Sequence, residues 1–229
     1  MRLELDVGNT RTKWRLWNGS SVYKSGLDLS SELSLKPAWV AAVGQVWVSS
    51  VHRERDAQIL ALFPQAQFAS SQVSHKGLSN SYQDAHKMGV DRWLAMLAAW
   101  HDEPSRAHIV IDAGTAITLD VIDEFGRHVG GYICPGFTMM KSSLLGGTKR
   151  VQAADDWQLG RALGSNTQSC VDHGIQDMVA CWLEHHRAAQ PHAKIWVSGG
   201  DGERLVSLLS SPVVFEADLV LDGLKIYFS

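Results

Sequence analysis

Apolar residues alternate at the start of the chain. Leu3, Leu5 and Val7 recur at every second position across 2–7, the pattern of a half-buried strand. Gly8-Asn9 then reads as a hairpin turn, 12–17 as its return strand and 22–24 as a third strand. Residues 45–51, Gln-Val-Trp-Val-Ser-Ser-Val, read as a more buried strand. A helix is expected over 53–63 with Ile59, Leu60 and Phe63 inward. Residues 70–80 are Ser-rich with no apolar period and read as a loop or lid. Trp93, Leu94, Leu97 and Ala98 then fall at helical spacing, predicting a helix over about 91–100.

The second half starts the pattern again. Strands are expected at 108–112, 116–122 and 129–134, and a helix at 137–145. Val171, Ile175, Met178, Val179 and Trp182 form an apolar stripe on a helix over about 168–187. A strand at 195–197, a helix at about 202–209 and a last strand at 219–221 complete the series. Strands followed by helices, twice over, predict an α/β chain with mixed sheets. The boundary falls near Glu103-Pro104-Ser105, giving segments 1–104 and 105–229.

The repetition reaches individual residues. Asp6-Val7-Gly8-Asn9-Thr10 follows Leu3 and Leu5, and Asp112-Ala113-Gly114-Thr115-Ala116 follows Ile109 and Ile111. The two aspartates lie 106 residues apart (112 − 6), and Thr12 and Thr118 follow the two turns. A glycine turn lets backbone N–H groups approach an anion closely. Thr10 and Thr115 add hydroxyls, and Arg11 and Lys13 add positive charge. Asp6 and Asp112 repel phosphate and need a cation between, as Mg²⁺ bridges carboxylates and phosphates. One such turn is an ordinary hairpin; two in matched settings signal a repeated architecture around a phosphate.

Composition narrows the classes. A 45% hydrophobic share, 20% charged residues and a net charge of -3 fit a soluble protein and give no case for nucleic-acid binding. No run of 18 apolar residues exists, so no membrane span is expected, and the N-terminus shows no signal-peptide core. Three cysteines without a Cys-x-x-Cys fit buried free thiols and a cytoplasmic location. His185 and His186 are adjacent and no His-Glu-x-x-His occurs, which argues against a histidine metal site. P-loop, dinucleotide-binding and Gly-x-Ser-x-Gly patterns are missing; Gly146-Gly147-Thr148-Lys149 has the wrong spacing for a P-loop.

Three further motifs have two readings each. In Gly89-Val90-Asp91-Arg92, Asp91 is either a helix N-cap or a general base, with Arg92 facing a substrate anion. In Gly164-Ser165-Asn166-Thr167, Asn166 or Thr167 caps the next helix, or the helix end receives a polar ligand. In Ser198-Gly199-Gly200-Asp201-Gly202, the glycines make a plain turn or let a flat base lie against the backbone.

Together with Gly130-Gly131 and Pro135-Gly136, these motifs run in an order and spacing that resembles the type III pantothenate kinases, which include the Bvg accessory factor proteins. The resemblance covers nearly the whole chain. It implies the acetate and sugar kinase/Hsp70/actin fold, two ribonuclease-H-like halves with a central cleft. It implies ATP-dependent phosphorylation of pantothenate, the first step towards coenzyme A, by a homodimer that needs K⁺ or NH₄⁺. By motif position, Asp6, Val7, Gly8, Asn9, Thr10, Arg11, Thr12 and Lys13 would line the ATP phosphates, with Thr115 adding a contact. Asp91 would accept the proton. Tyr82, Gly89, Val90, Asp91 and Arg92 would frame pantothenate, with Thr167 closing the pocket across the dimer. Asp112 would hold the monovalent cation and Asp6 the Mg²⁺. The alternative is a non-catalytic regulator of the accessory-factor type that keeps the nucleotide-binding fold.

Overall fold

The computed structural model describes residues 1–29, 37–148, 150–210 and 212–229; Lys149, weighed above in the P-loop comparison, lies outside them. In chain order the elements open with strands β1 (Arg2–Val7), β2 (Arg11–Asn18) and β3 (Ser21–Leu29). Helix α1 (Pro37–Ala42), β4 (Gln45–Ser50), α2 (Arg53–Leu62) and β5 (Gln67–Phe68) follow. A small hairpin of β6 (Ser74–His75) and β7 (Leu78–Ser79) precedes α3 (Val90–Asp102). Then come β8 (His108–Ala113), β9 (Ala116–Ile122), β10 (His128–Pro135) and α4 (Phe137–Gly147). The last elements are α5 (Thr167–Ala189), β11 (Lys194–Ser198), α6 (Gly202–Leu208), β12 (Val214–Phe215) and α7 (Leu219–Phe228).

Two five-stranded sheets share one order. The first runs β3-β2-β1-β4-β5 and the second β10-β9-β8-β11-β12. In each, the central strand pairs antiparallel with the strand that follows its turn and parallel with a strand that arrives after a helix. The fold is therefore α/β with mixed sheets, as the two rounds of strands and helices imply.

The chain forms two compact units. One comprises Met1–Pro104, Gly126–His128 and Asp218–Ser229, and the other Ser105–Phe125 and Val129–Ala217. The sequence boundary at Pro104/Ser105 thus meets two stretches, 126–128 and 218–229, that pack with the first unit. The first core gathers Leu3, Leu5, Val7, Leu16, Val46, Val48, Ile59 and Phe63. The second gathers Ile109, Ile111, Ile117, Leu119, Phe137, Val171, Ile175 and Val197.

Several expectations change. Residues 219–221 are not a strand but the first turn of α7. Leu219, Leu221 and Leu224 are buried, and Gly223 lies directly against the Leu94 carbonyl of α3. A Leu-Val-Leu triplet is equally apolar in either conformation, and the close helix packing that only glycine permits decides it. Residues 70–80 hold the β6/β7 hairpin, whose turn residues Lys76 and Gly77 both have positive φ (46° and 87°). Ser71 Oγ donates to Met88 O at 3.0 Å, and Gln72 Nε2 to Tyr227 Oη at 2.8 Å. These bonds pin the segment within its unit. Leu60 and Met178, expected inward, are exposed, while Ile59 and Val179 are buried. Cys170 and Cys181 are exposed free thiols rather than buried ones. No helix among the described residues is long and apolar enough to cross a membrane.

Candidate functional site

The first Asp-x-Gly turn joins β1 to β2. Antiparallel register sets Asp6 opposite Lys13 and Val7 opposite Thr12. Parallel register brings Ser49 of β4 to the other side of Asp6, and Ser49 Oγ donates to Asp6 Oδ1 at 3.1 Å. Gly8 N donates to Arg11 O at 3.0 Å and closes the turn. Asn9, Thr10 and Arg11 are exposed at its tip. Val7 and Thr12 are each 2% exposed and face the core, with their backbones between paired strands.

Charge behind this turn comes from α7. Lys13 Nζ lies 3.3 Å from Asp218 Oδ1. Arg15, two residues along the same strand, donates Nε to Glu4 at 2.9 Å and Nη1 to Asp222 at 2.6 Å. Burial works against the Arg15 charge, but the bonds to Asp222 and Glu4 outweigh it and hold the guanidinium pKa above its ordinary value.

The second turn joins β8 to β9. Here Asp112 stands opposite Thr118 and Ala113 opposite Ile117. The loop is one residue shorter than the first, so the constant spacing of the two motifs does not extend into the return strand. Thr118 occupies the place of Lys13, and the counterpart of buried Thr12 is buried Ile117. Ser198 of β11 lies beside Asp112, as Ser49 lies beside Asp6. Gly199 has φ +92°, and a Cβ there would stand 2.5 Å from Asp112 Oδ1. Only glycine lets the backbone approach that carboxylate so closely. Gly136 N donates to Thr115 O at 2.9 Å, which seats the start of α4 on the turn. Thr115 is exposed.

Asp91 sits in the first turn of α3, one residue inside the helix; the N-cap is Gly89, not Asp91. The Arg92 amide donates to Asp91 Oδ1 at 2.8 Å. A Cβ on Gly89 would lie 2.5 Å from the same oxygen. Gly89 therefore makes room for the carboxylate. Val90 is buried. Arg92 is 5% exposed and its Nη1 donates to Tyr82 Oη at 2.8 Å. The Tyr82 ring stacks on His128 at 6.3 Å between centroids, and His128 Nδ1 is hydrogen-bonded to Ser81 Oγ at 2.9 Å.

At the start of α5, Asn166 is the N-cap. Its side chain accepts from Ser169 N at 2.9 Å, and Ser169 Oγ accepts from Asn166 N in return. Thr167 is the exposed first helical residue. The irregular stretch before it is strapped to α5. Gln168 Nε2 donates to Asp156 O at 2.9 Å, Asp172 Oδ2 accepts from Gln158 N at 2.9 Å, and Gln176 Nε2 donates to Gln158 O at 2.8 Å. Lys141 of α4 completes the clamp with a buried ion pair to Asp172 at 2.8 Å. Burial pushes the Asp172 pKa up, yet bonds from Gln158, Lys141 and Gln168 overcome it and leave the carboxyl below its ordinary range.

Ser49, Asp218, Ser81 and His128 were not singled out from the sequence. No local pattern marks them: each reaches its neighbour through sheet register or through a segment that returns from elsewhere in the chain. Among the described residues no three His, Cys, Asp or Glu side chains gather to hold a metal ion. Asp6 and Asp112 instead offer single carboxylates, each beside a serine, as suits a hard cation that takes its other ligands from phosphates and water.

The chain as a whole is similar to known proteins. The family model described as "Type III pantothenate kinase" matches residues 2–188. A type III pantothenate kinase of Marinobacter nauticus is 36% identical over 98% of this chain and 97% of its own length. One of Pseudomonas aeruginosa is 35% identical over 99% and 98%. Among solved structures, a conserved Baf-family protein of Campylobacter jejuni superposes with a TM-score of 0.62 at 20% identity, over 99% of this chain and 96% of that one. Component A of (R)-2-hydroxyglutaryl-CoA dehydratase from Acidaminococcus fermentans gives 0.54 at 13%, over 99% and 95%. These two likenesses concern the fold alone.

Proposed function

The chain belongs to the type III pantothenate kinase family, and from that premise we propose how its residues transfer a phosphoryl group from ATP to pantothenate. Phosphoryl transfer asks a protein mainly for positioning and for neutralised charge. The first turn supplies phosphate contacts from its exposed tip, the backbone and side chains of Asn9, Thr10 and Arg11, with Lys13 as the nearby cation; Gly8 closes the turn, and Val7 and Thr12 hold it on the sheet. Thr115 adds a hydroxyl from the second turn. Tyr82, Gly89, Val90 and Arg92 frame pantothenate, the Arg92 guanidinium suiting its carboxylate. Asp91 takes the proton from the attacking hydroxyl. Thr167 closes the pocket from a second copy of the chain.

The observation that carries this reading is the seat of Asp91. Its carboxylate is fixed at the first turn of a buried helix, over a glycine that a side chain would displace. A carboxylate held this way is pre-oriented, which is what a positioned base needs.

Asp6 is the residue to hold Mg²⁺, and Asp112 the K⁺ or NH₄⁺. When bound, these cations offset the negative charge of the phosphates. A second copy is the proposed partner. Its face is β10 with α4 and α5, where Val129, Tyr132, Ile133, Met139 and Met178 are exposed in one unit. Sedimentation velocity at twice the chain mass is the expected result.

The deciding experiment is a coupled assay of ATP and pantothenate, with and without K⁺, on the chain and on Asp91→Asn. Turnover in the variant should fall by about 10²- to 10⁴-fold, the usual contribution of a general base, with nucleotide binding retained. Near-normal turnover would remove Asp91 from its role.

A further inference from the structure

We propose that His128 is a positioning residue for the pantothenate side of the site, acting as the platform on which Tyr82 rests. The proposal builds on the reading of Tyr82 and Arg92 as pantothenate contacts. His128 lies far along the chain from both, yet Gly126–His128 packs with the unit that holds them. A backbone bridge anchors the segment there: Ser79 pairs in parallel with Arg127, its N–H donating to Gly126 O at 2.8 Å. Gly126 itself, at φ +77°, packs directly on the Gly77 carbonyl, so glycine sets how closely the segment approaches.

The imidazole is 3% exposed and is held on two sides. Ser81 Oγ fixes Nδ1 at 2.9 Å. The Tyr82 ring lies over the imidazole at 6.3 Å with 29° between planes, within the range of offset aromatic stacking. Tyr82 in turn receives Arg92 Nη1 at 2.8 Å. The chain of contacts therefore runs from Ser81 through His128 and Tyr82 to the Arg92 guanidinium. Tyr82 is partly exposed and follows an irregular stretch, with its own N–H bonded to Asn80 Oδ1 at 3.0 Å. That bond fixes the backbone but not the ring. The ring needs a surface, and His128 is that surface.

The role predicts a split between kinetic constants. His128→Ala should raise the KM for pantothenate by about tenfold, the scale of one lost aromatic pair. Its kcat and its KM for ATP should stay within about twofold. His128→Phe keeps a flat ring and should recover most of the pantothenate KM. Ser81→Ala, which frees the imidazole, should fall between them. Where the alanine variant does not fold, His128→Leu carries the same expectation of a raised pantothenate KM. An unchanged pantothenate KM in a folded Ala or Leu variant overturns the proposal, as does an equal loss in all three constants. Neither result touches the kinase reading, which fails only if the unaltered chain makes no product.

Discussion

The two Asp-x-Gly turns begin alike and end differently. Each places an aspartate at the end of a central strand, a serine beside it on the parallel neighbour and a glycine in the bend. The first loop then takes one residue more before its return strand pairs. That residue brings a lysine opposite Asp6, where the second turn brings a threonine opposite Asp112. One architecture thus carries a fixed cation in one copy and a neutral hydroxyl in the other. The difference teaches that spacing by motif and spacing by strand pairing are separate quantities. In a hairpin the loop length sets which residues face each other, and a single insertion changes the chemistry opposite the aspartate.

The largest expected effect tests that asymmetry directly. Lys13→Met should lower kcat/KM for ATP by about 10²-fold or more, the scale of losing one charged contact to a reacting phosphate. Thr118→Val should change it by no more than about twofold. Equal losses would mean that the two positions work alike, and the comparison would fail.

A middle effect concerns the glycines. Gly199→Ala puts a side chain at φ +92° and against Asp112, and should cost about 1–3 kcal/mol in urea unfolding. Gly8→Ala meets only the Arg11 carbonyl, at 3.0 Å, and should cost less than about 1 kcal/mol. The reverse order would show the first turn to be the tighter one.

The smallest effect is in acid. Behind the second turn, α4 is tied to α5 by Lys141 and Asp172. The folded Asp172 pKa lies below its unfolded value, so its stabilisation is present above the unfolded value of about 3.9 and is lost as pH falls through the folded pKa. The thermal midpoint should therefore drop more steeply below about pH 4 in the unaltered chain than in Asp172→Asn. Identical acid profiles would show that this carboxylate contributes nothing there.

Strand and helix periodicity was largely legible. Residues 116–122 are a strand, as the repeat of the opening pattern implies, and the helices expected near 91–100 and 168–187 form with ragged ends. Failures cluster where a contact distant in sequence decides. The 219–221 triplet is helical because Gly223 docks on α3. Residues 70–80 are ordered by Met88, Gly126 and Tyr227 rather than by their own composition. At the site, Asp6, Asp91, Asp112 and the glycines beside them stand out as motifs. Ser49, Asp218 and His128 do not, since nothing near them in the chain refers to the residues they touch.

By itself the sequence determined the repeated strand–turn–strand unit, the α/β class and the resemblance to a kinase family. All three rest on local patterns: periodicity, glycine at tight bends and short motifs in fixed order. Tertiary structure alone decided which residue faces each aspartate, that α7 returns to back the first turn, and that 126–128 packs with the first unit, where the His128 ring lies on Tyr82. Those outcomes depend on loop length, sheet register and close packing between distant segments, which no window of adjacent residues contains.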